Sequence, residues 1–214
     1  MSDRTRSIPA LLQGTLAAVL SCGLWLSTAT GAARAMDYRD GFDSLDSALV
    51  GALMLGETDG WAGALKDGRY ALDNASQSGS VRYYFLTPKR QPATLEVAVE
   101  GGFDGEQAGA GLIYGLDREA GTYYAFVVTR DGKYSVYQRS NKGLRRIAAG
   151  SNEAIRSAGP NRLEVRFEGT AVSHFINESK MMGFGLKTAV EGGVGIVAID
   201  RGRFLFDDFF FSAP

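Results

Sequence analysis

Glu96 and Glu100 are the first candidates for acid–base chemistry, because they share one run, Thr94–Glu100, in which polar and apolar residues alternate. A strand places both on one face, roughly 13 Å apart at about 3.4 Å per residue. A retaining glycosidase needs its two carboxyl groups about 5–5.5 Å apart and an inverting one about 6.5–9.5 Å, so this pair spans too far for either. Asp104 and Glu106 follow among Gly101, Gly102 and Gly105 and read as a loop. The expected state of these carboxylates is solvated or ion-paired across strands. A catalytic pair would have to be assembled from different strands, such as Glu96 with Glu164.

Other chemistries are poorly supplied. His174 is the only histidine and Cys22 the only cysteine, which excludes a Cys/His zinc cluster and argues against a Cys–His nucleophile. His174 shares a strand side with Val172 and Ile176 and is expected to be structural. Gly109-x-Gly111 and Gly192-Gly193-x-Gly195 precede no helical pattern, so they read as bulges or turns and not phosphate loops. Sugar recognition is better provided for. Arg82, Tyr84, Tyr114, Tyr123, Tyr137, Arg139 and Arg166 lie in strand-like runs. Tyr rings stack on the C–H faces of sugars while Arg and carboxylates bond their hydroxyls. With Glu96 and Glu100 they form the candidate ligand-binding set. Tyr is also common on strands for packing alone.

Composition narrows the rest. The chain has 214 residues, 45% hydrophobic, with 28 Gly and 5 Pro, which excludes disorder and collagen. A formal net charge of −1 argues against nucleic acid as the main partner. Arg4 and Arg6, the apolar stretch Leu11–Leu26 and Ala33-Arg34-Ala35 form the three regions of a secretory signal peptide. Residues 1–35 are therefore expected to be removed, leaving 36–214 as a single domain, exported to the periplasm or secreted. Losing Asp3, Arg4, Arg6 and Arg34 moves the net charge to −3. Val19-Leu20-Ser21-Cys22 also fits a lipobox loosely, which would make Cys22 a lipid anchor. The apolar stretch is too short and interrupted for a transmembrane helix.

The elements that must position these residues are strands. Val81–Leu86, Thr94–Glu100, Ala110–Leu116, Tyr123–Thr129, Tyr134–Arg139, Arg162–Phe167, Ala171–Asn177, Gly195–Ile199 and Arg203–Phe211 are β-rich runs separated by Gly-containing turns. No long helical pattern intervenes, so the class is all-β, a two-sheet antiparallel sandwich. Ser44–Leu55 has helical spacing, with Ser44 as a cap, and predicts one short helix or turn. Phe204–Phe211 is nearly all apolar around Asp207-Asp208 and reads as a strand that is buried on both faces or sits mid-sheet, whose carboxylates need donors or a cation.

Several segments occur in the order of a known family: Asp40-Gly41-Phe42-Asp43, Trp61, Asp67-Gly68-Arg69-Tyr70, Gly109-Ala110-Gly111-Leu112-Ile113-Tyr114 and Tyr123-Tyr124-Ala125-Phe126. Asp131-Gly132-Lys133-Tyr134, Asn161-Arg162-Leu163, Phe175-Ile176-Asn177, Gly192-Gly193-Val194-Gly195 and Phe206-Asp207-Asp208-Phe209 complete the set. Together they resemble the concanavalin A-like lectin/glucanase jelly roll in its laminin G-like bacterial form. The resemblance implies two packed sheets, one concave, with the first and last strands adjacent. It also implies a structural Ca²⁺ held by Asp207 or Asp208 with Asp43 and carbonyls near Asp67-Gly68. The Glu-x-Asp-x-(x)-Glu strand motif of the family's glucanases is absent. Asn177-Glu178 stands where the family often has Asn-Gly, so Ser179–Leu186 is expected to form a longer excursion, with Met181, Met182 and Phe184 tucked onto the core or exposed at its tip.

Three functions fit this reading: an exported non-catalytic module binding a glycan or an extracytoplasmic protein on its concave sheet, a jelly-roll glycoside hydrolase, or a structural assembly subunit. The fold hosts all of them.

Overall fold

The computed structural model describes residues 36–75 and 78–214, so the leader, Cys22 and the cleavage site lie outside the described residues. The strands are, in chain order, β1 (Met36–Asp40), β2 (Gly56–Thr58), β3 (Trp61–Lys66), β4 (Arg69–Asn74), β5 (Val81–Leu86), β6 (Thr94–Phe103), β7 (Gly109–Asp117) and β8 (Thr122–Thr129). They continue as β9 (Lys133–Ser140), β10 (Gly143–Ser151), β11 (Asn161–Glu168), β12 (Ala171–Ile176), β13 (Ser179–Gly185), β14 (Gly193–Ile199) and β15 (Gly202–Ala213). The first sheet has the order β13-β12-β11-β6-β15-β4-β3-β2, with β1 also on β15; the second has β10-β9-β8-β7-β14-β5. Every ladder is antiparallel, and Met36 pairs with Ala213, so the first and last strands are neighbours.

Alternation explains the layers. On β6, Leu95, Val97 and Val99 point inward, and on β11 Leu163, Val165 and Phe167 do the same; they meet Leu112, Phe126, Val136 and Ile196 of the second sheet in one core. Full burial of each such side chain contributes about 1.5–3 kcal/mol. The structure is the all-β two-sheet sandwich that the strand spacing predicts.

Three local expectations are refined. Of the helix or turn expected in Ser44–Leu55, a turn forms, a 3-10 turn at Val50–Ala52, and the Val50 N–H is accepted by Ser47 Oγ at 3.0 Å, not by Ser44. The buried Asp40 carboxylate holds this segment instead, accepting from Phe42 N (2.9 Å), the Tyr38 hydroxyl (3.0 Å) and the Ser47 hydroxyl. Ser179–Leu186 is not a loose excursion. Asn177 (φ 50°) and Glu178 (φ 68°) both take left-handed conformations, making a two-residue hairpin turn into β13. Met181, Met182 and Phe184 are half-buried against the core. Finally, of the two placements expected for β15 it takes the mid-sheet one, between β6 and β4, and its outward residues are only half-buried or exposed. A bulge at Asp207-Asp208, with Asp208 at φ 49°, re-phases the strand so that Phe204, Phe206, Phe209 and Phe211 all point inward.

Candidate functional site

The sequence-predicted residues divide among three environments. Glu96, Glu100 and Arg166 lie on the outer face of the first sheet, in a lattice of ion pairs. Glu96 and Glu164 are direct cross-strand partners, which would set like charges opposite one another. Each is taken by an arginine: Glu96 by Arg162, and Glu164 by Arg166, whose Nη2 is 3.0 Å from Oε2. Arg69 holds Glu100 at 3.0 Å and Arg203 holds Asp73 at 3.4 Å. Guanidinium N–H groups thus engage one oxygen of Glu96 and both oxygens of Glu164.

Tyr84 and Tyr114 lie in the interior and are withdrawn from any ligand face. Tyr84 packs edge-on against Tyr70, with ring centroids 5.7 Å apart. Tyr114 is fully buried, its hydroxyl 2.8 Å from His174 Nε2. Burial lowers the His174 pKa to about 4, against the opposing pull of the Met182 backbone, and pushes the Tyr114 hydroxyl well above its ordinary value. His174 Nδ1 has no partner in hydrogen-bond geometry. His174 stacks on Phe184 and meets Phe126 edge-on, so it is the structural histidine that its strand position predicts. Arg82, on the edge strand β5, reaches Asp59 at 3.5 Å.

Tyr123, Tyr137 and Arg139 are brought together on the side of the second sheet away from the main core, where Arg139 is exposed and both tyrosines are buried, at 6% exposure, with only a ring edge reaching the surface. The register aligns Phe85, Gly195, Ile113, Ala125 and Tyr137 in one row across five strands, and Tyr83, Val197, Gly111, Val127 and Ser135 in the next. The side chains of these rows form an apolar cluster separate from the main core. Tyr83 and Tyr123 come from strands three spacings apart, about 14 Å in backbone terms. Their ring centroids are nonetheless 5.6 Å apart. The rings therefore lean toward each other across β14 and β7, over Val197 and Ile113, which are buried. Burial raises the Tyr123 hydroxyl pKa, while Arg139 pulls it down. The Arg118 guanidinium lies 5.7 Å from the Phe85 ring centroid. Beyond Tyr137 the face opens into a groove of about 630 Å³ whose walls include Ser135, Arg146 and Ser151. The groove also has two carboxylates on its walls, Glu106 and Asp131, the latter bonded to Arg130 at 3.1 Å.

Sequence reasoning missed Tyr83 and Phe85. Both sides of β5 are apolar or aromatic, so periodicity separates Val81, Tyr83 and Phe85 from Arg82, Tyr84 and Leu86 without saying which set faces outward.

The carboxylates expected to hold Ca²⁺ lie at one junction. Asp43 sits against Gly41 and Gly68, close enough that a Cβ on either glycine would be 2.9 Å or 2.7 Å from its oxygens. Burial raises the Asp207 pKa, with Asp208 and Asp43 adding to the rise. Asp207 Oδ1 accepts the Asp208 N–H at 2.7 Å. Among the described residues, no group of three or more Asp, Glu, His or Cys is arranged to hold a metal ion. A cation there would depend chiefly on backbone carbonyls.

No protein-family model matches this chain, and no curated protein is similar to it in sequence. Solved structures are. The carbohydrate-binding module CBM66 from Bacillus subtilis superimposes with a TM-score of 0.56 at 17% identity, over 70% of this chain and 93% of that one. A β-1,3-1,4-glucanase (lichenase) from a mouse hindgut metagenome gives 0.57 at 13% identity, over 83% and 98%. The fold is that of the concanavalin A-like lectins and glucanases. The same sandwich matches the GH43 protein BlXynB from Bacillus licheniformis with a TM-score of 0.60 at 15% identity, over 82% of this chain and 39% of that one. Identities this low carry the fold alone. Within it, the concanavalin A-like sandwich of this chain has one ion-paired outer face and one aromatic outer face. No described helix is long and apolar enough to cross a membrane.

Proposed function

We propose that this protein is an exported, non-catalytic carbohydrate-binding module that holds a glycan on the outer face of its second sheet. The observation that carries the reading is the composition of that face: Tyr83, Phe85, Tyr123 and Tyr137 with Arg118 and Arg139, beside a groove in which one of the two carboxylates, Asp131, is bonded to Arg130 and the other is Glu106. Aromatic rings and guanidinium groups bind sugars without cleaving them, whereas glycoside hydrolysis uses two carboxyl groups flanking the bond. The carbohydrate-binding module among the structural neighbours supports the same reading. Retention on insoluble polysaccharides tests it: Tyr137→Ala is expected to lower retention at least tenfold while the chain stays folded. Failure of the unsubstituted protein to be retained on any polysaccharide would overturn it and favour a protein occupant of the same face.

Hydrolysis is the second reading, favoured by one observation: Glu96 and Glu164 are in direct register. It requires that activity on oligosaccharides exist and be abolished by Glu96→Gln. Structural Ca²⁺ at Asp43 and Asp207 belongs to the same proposal. A rise in melting temperature with CaCl₂ that Asp207→Asn removes supports it, and equal melting curves with CaCl₂ and EDTA refute it.

A further inference from the structure

We infer that the glycan held by the second sheet is anionic, carrying carboxylate or sulfate groups read by the β9–β10 hairpin; the inference rests on the carbohydrate-binding assignment above. The argument begins with an asymmetry of charge. From Lys133 to Asn152 the chain carries Lys133, Arg139, Lys142, Arg145 and Arg146 and no acidic residue, in a protein whose formal net charge is −1. All five are exposed.

The two outer faces treat their cations differently. On the first sheet Arg69, Arg162, Arg166 and Arg203 each hold a carboxylate. On the hairpin none of the five cations makes an ion pair among the described residues; Arg145 reaches only the neutral Gln138 amide, at 3.4 Å. Unpaired cations gathered on one side of a near-neutral protein repel one another, and a polyanion relieves that repulsion.

Register then puts these charges at the glycan face. Arg146 is the cross-strand partner of Tyr137, Lys133 that of Ser151, and Arg139 that of Tyr123. Antiparallel partners share a side, so Lys133, Arg139 and Arg146 border the aromatic rows. Lys133 and Arg146 also line the 630 Å³ groove. The groove's acidic residues are Asp131, already bonded to Arg130 at 3.1 Å, and Glu106. A sugar stacked beside Tyr137 would thus have its substituents within reach of a guanidinium and an ammonium. Guanidinium suits this task because its paired N–H groups match the two oxygens of a carboxylate or sulfate.

The test is affinity electrophoresis of the full protein in polygalacturonate and chondroitin sulfate, against neutral dextran and inulin, with duplex DNA as a non-glycan polyanion. Expected are retardation by an anionic polysaccharide at least tenfold stronger than by the neutral ones, loss of about tenfold with Arg146→Gln and again with Arg139→Gln, and weakening as NaCl rises. Arg162→Gln, on the opposite sheet, is the control and is expected to change nothing. Neutral and anionic glycans retarded equally, with Arg139→Gln and Arg146→Gln silent, would overturn the inference and leave the carbohydrate assignment intact. Retardation by none of the polysaccharides would overturn both. Equal retardation by DNA through the same arginines would overturn the glycan identity of the ligand. Thermal melting of each variant confirms that it is folded.

Discussion

His174 makes the protein acid-sensitive, and the size of the effect follows from its surroundings. The imidazole is fully buried beneath β13, among Phe126, Phe184 and Tyr114, and no charged group contacts it. Folded, it stays neutral down to about pH 4; unfolded, it takes a proton near 6.5. Between those values the unfolded chain binds more protons. The contribution is therefore fully present above pH 6.5 and is lost as pH falls toward 4. Linkage gives a loss of about 2 kcal/mol between pH 7 and pH 5, of a total of about 3 kcal/mol. Urea unfolding at pH 7, 6 and 5 measures it. Acidification also changes the charge of the chain elsewhere, so the comparison is with the double variant His174→Phe/Tyr114→Phe. Replacing both hydrogen-bonding partners by apolar groups of similar shape leaves no orphaned polar atom. The unsubstituted protein is expected to lose about 2 kcal/mol more than the variant over that range. Equal losses would refute a neutral, buried His174.

Further predictions concern the backbone and the binding face. Gly195→Ala places a Cβ 1.9 Å from the Tyr84 carbonyl oxygen and 2.6 Å from Phe85 Cα; with only backbone to displace, it is expected to cost about 3 kcal/mol in denaturant midpoint measurements, and an unchanged midpoint would refute that close approach. Glu178→Gly removes a side chain from a residue at φ 68° and is expected to stabilise the β12–β13 hairpin by up to about 1 kcal/mol; calorimetry checks the sign. Tyr123→Ala is expected to weaken glycan retention together with Tyr137→Ala, whereas Glu100→Gln, on the other sheet, is expected to leave it unchanged in the same assay.

Alternation made much of this fold legible. Val81–Leu86 is a strand at the predicted bounds, and Thr94–Glu100 only lengthens to Phe103. Six strands escaped notice: β1 to β4, which run only three to six residues each, and β10 and β13, which lack the signal that alternation provides. Within β10, Ala148, Ala149 and Gly150 give little contrast between faces, and a register shift at Ile147 breaks the period. In β13, Gly183 and Gly185 interrupt the pattern, and the turn before it uses Glu178 where glycine is the usual signal. At the site, Tyr123, Tyr137 and Arg139 were legible as a polar-aromatic side of their strands. Their grouping with Tyr83 depends on β5 lying beyond β14, a long-range pairing to which local periodicity is blind. Tyr114 alternates with Ala110 and Leu112, which was the available sign that it faces inward.

The place of β15 determines when the protein can fold. It is the last strand in the chain, yet it lies mid-sheet, pairing with β6 on one side and with β4 and β1 on the other. Without it, β13-β12-β11-β6 and β4-β3-β2 are two separate half-sheets with open edges, and β1 has no partner. Their inner faces cannot close over a shared core until β15 is in place. Closing a ladder between opposite ends of a chain carries a large entropic cost before any contact offsets it, which makes such topologies slow folders, on the order of milliseconds to seconds. The two half-sheets thus stay apart until β15 docks between them, and that docking is the step that closes the core.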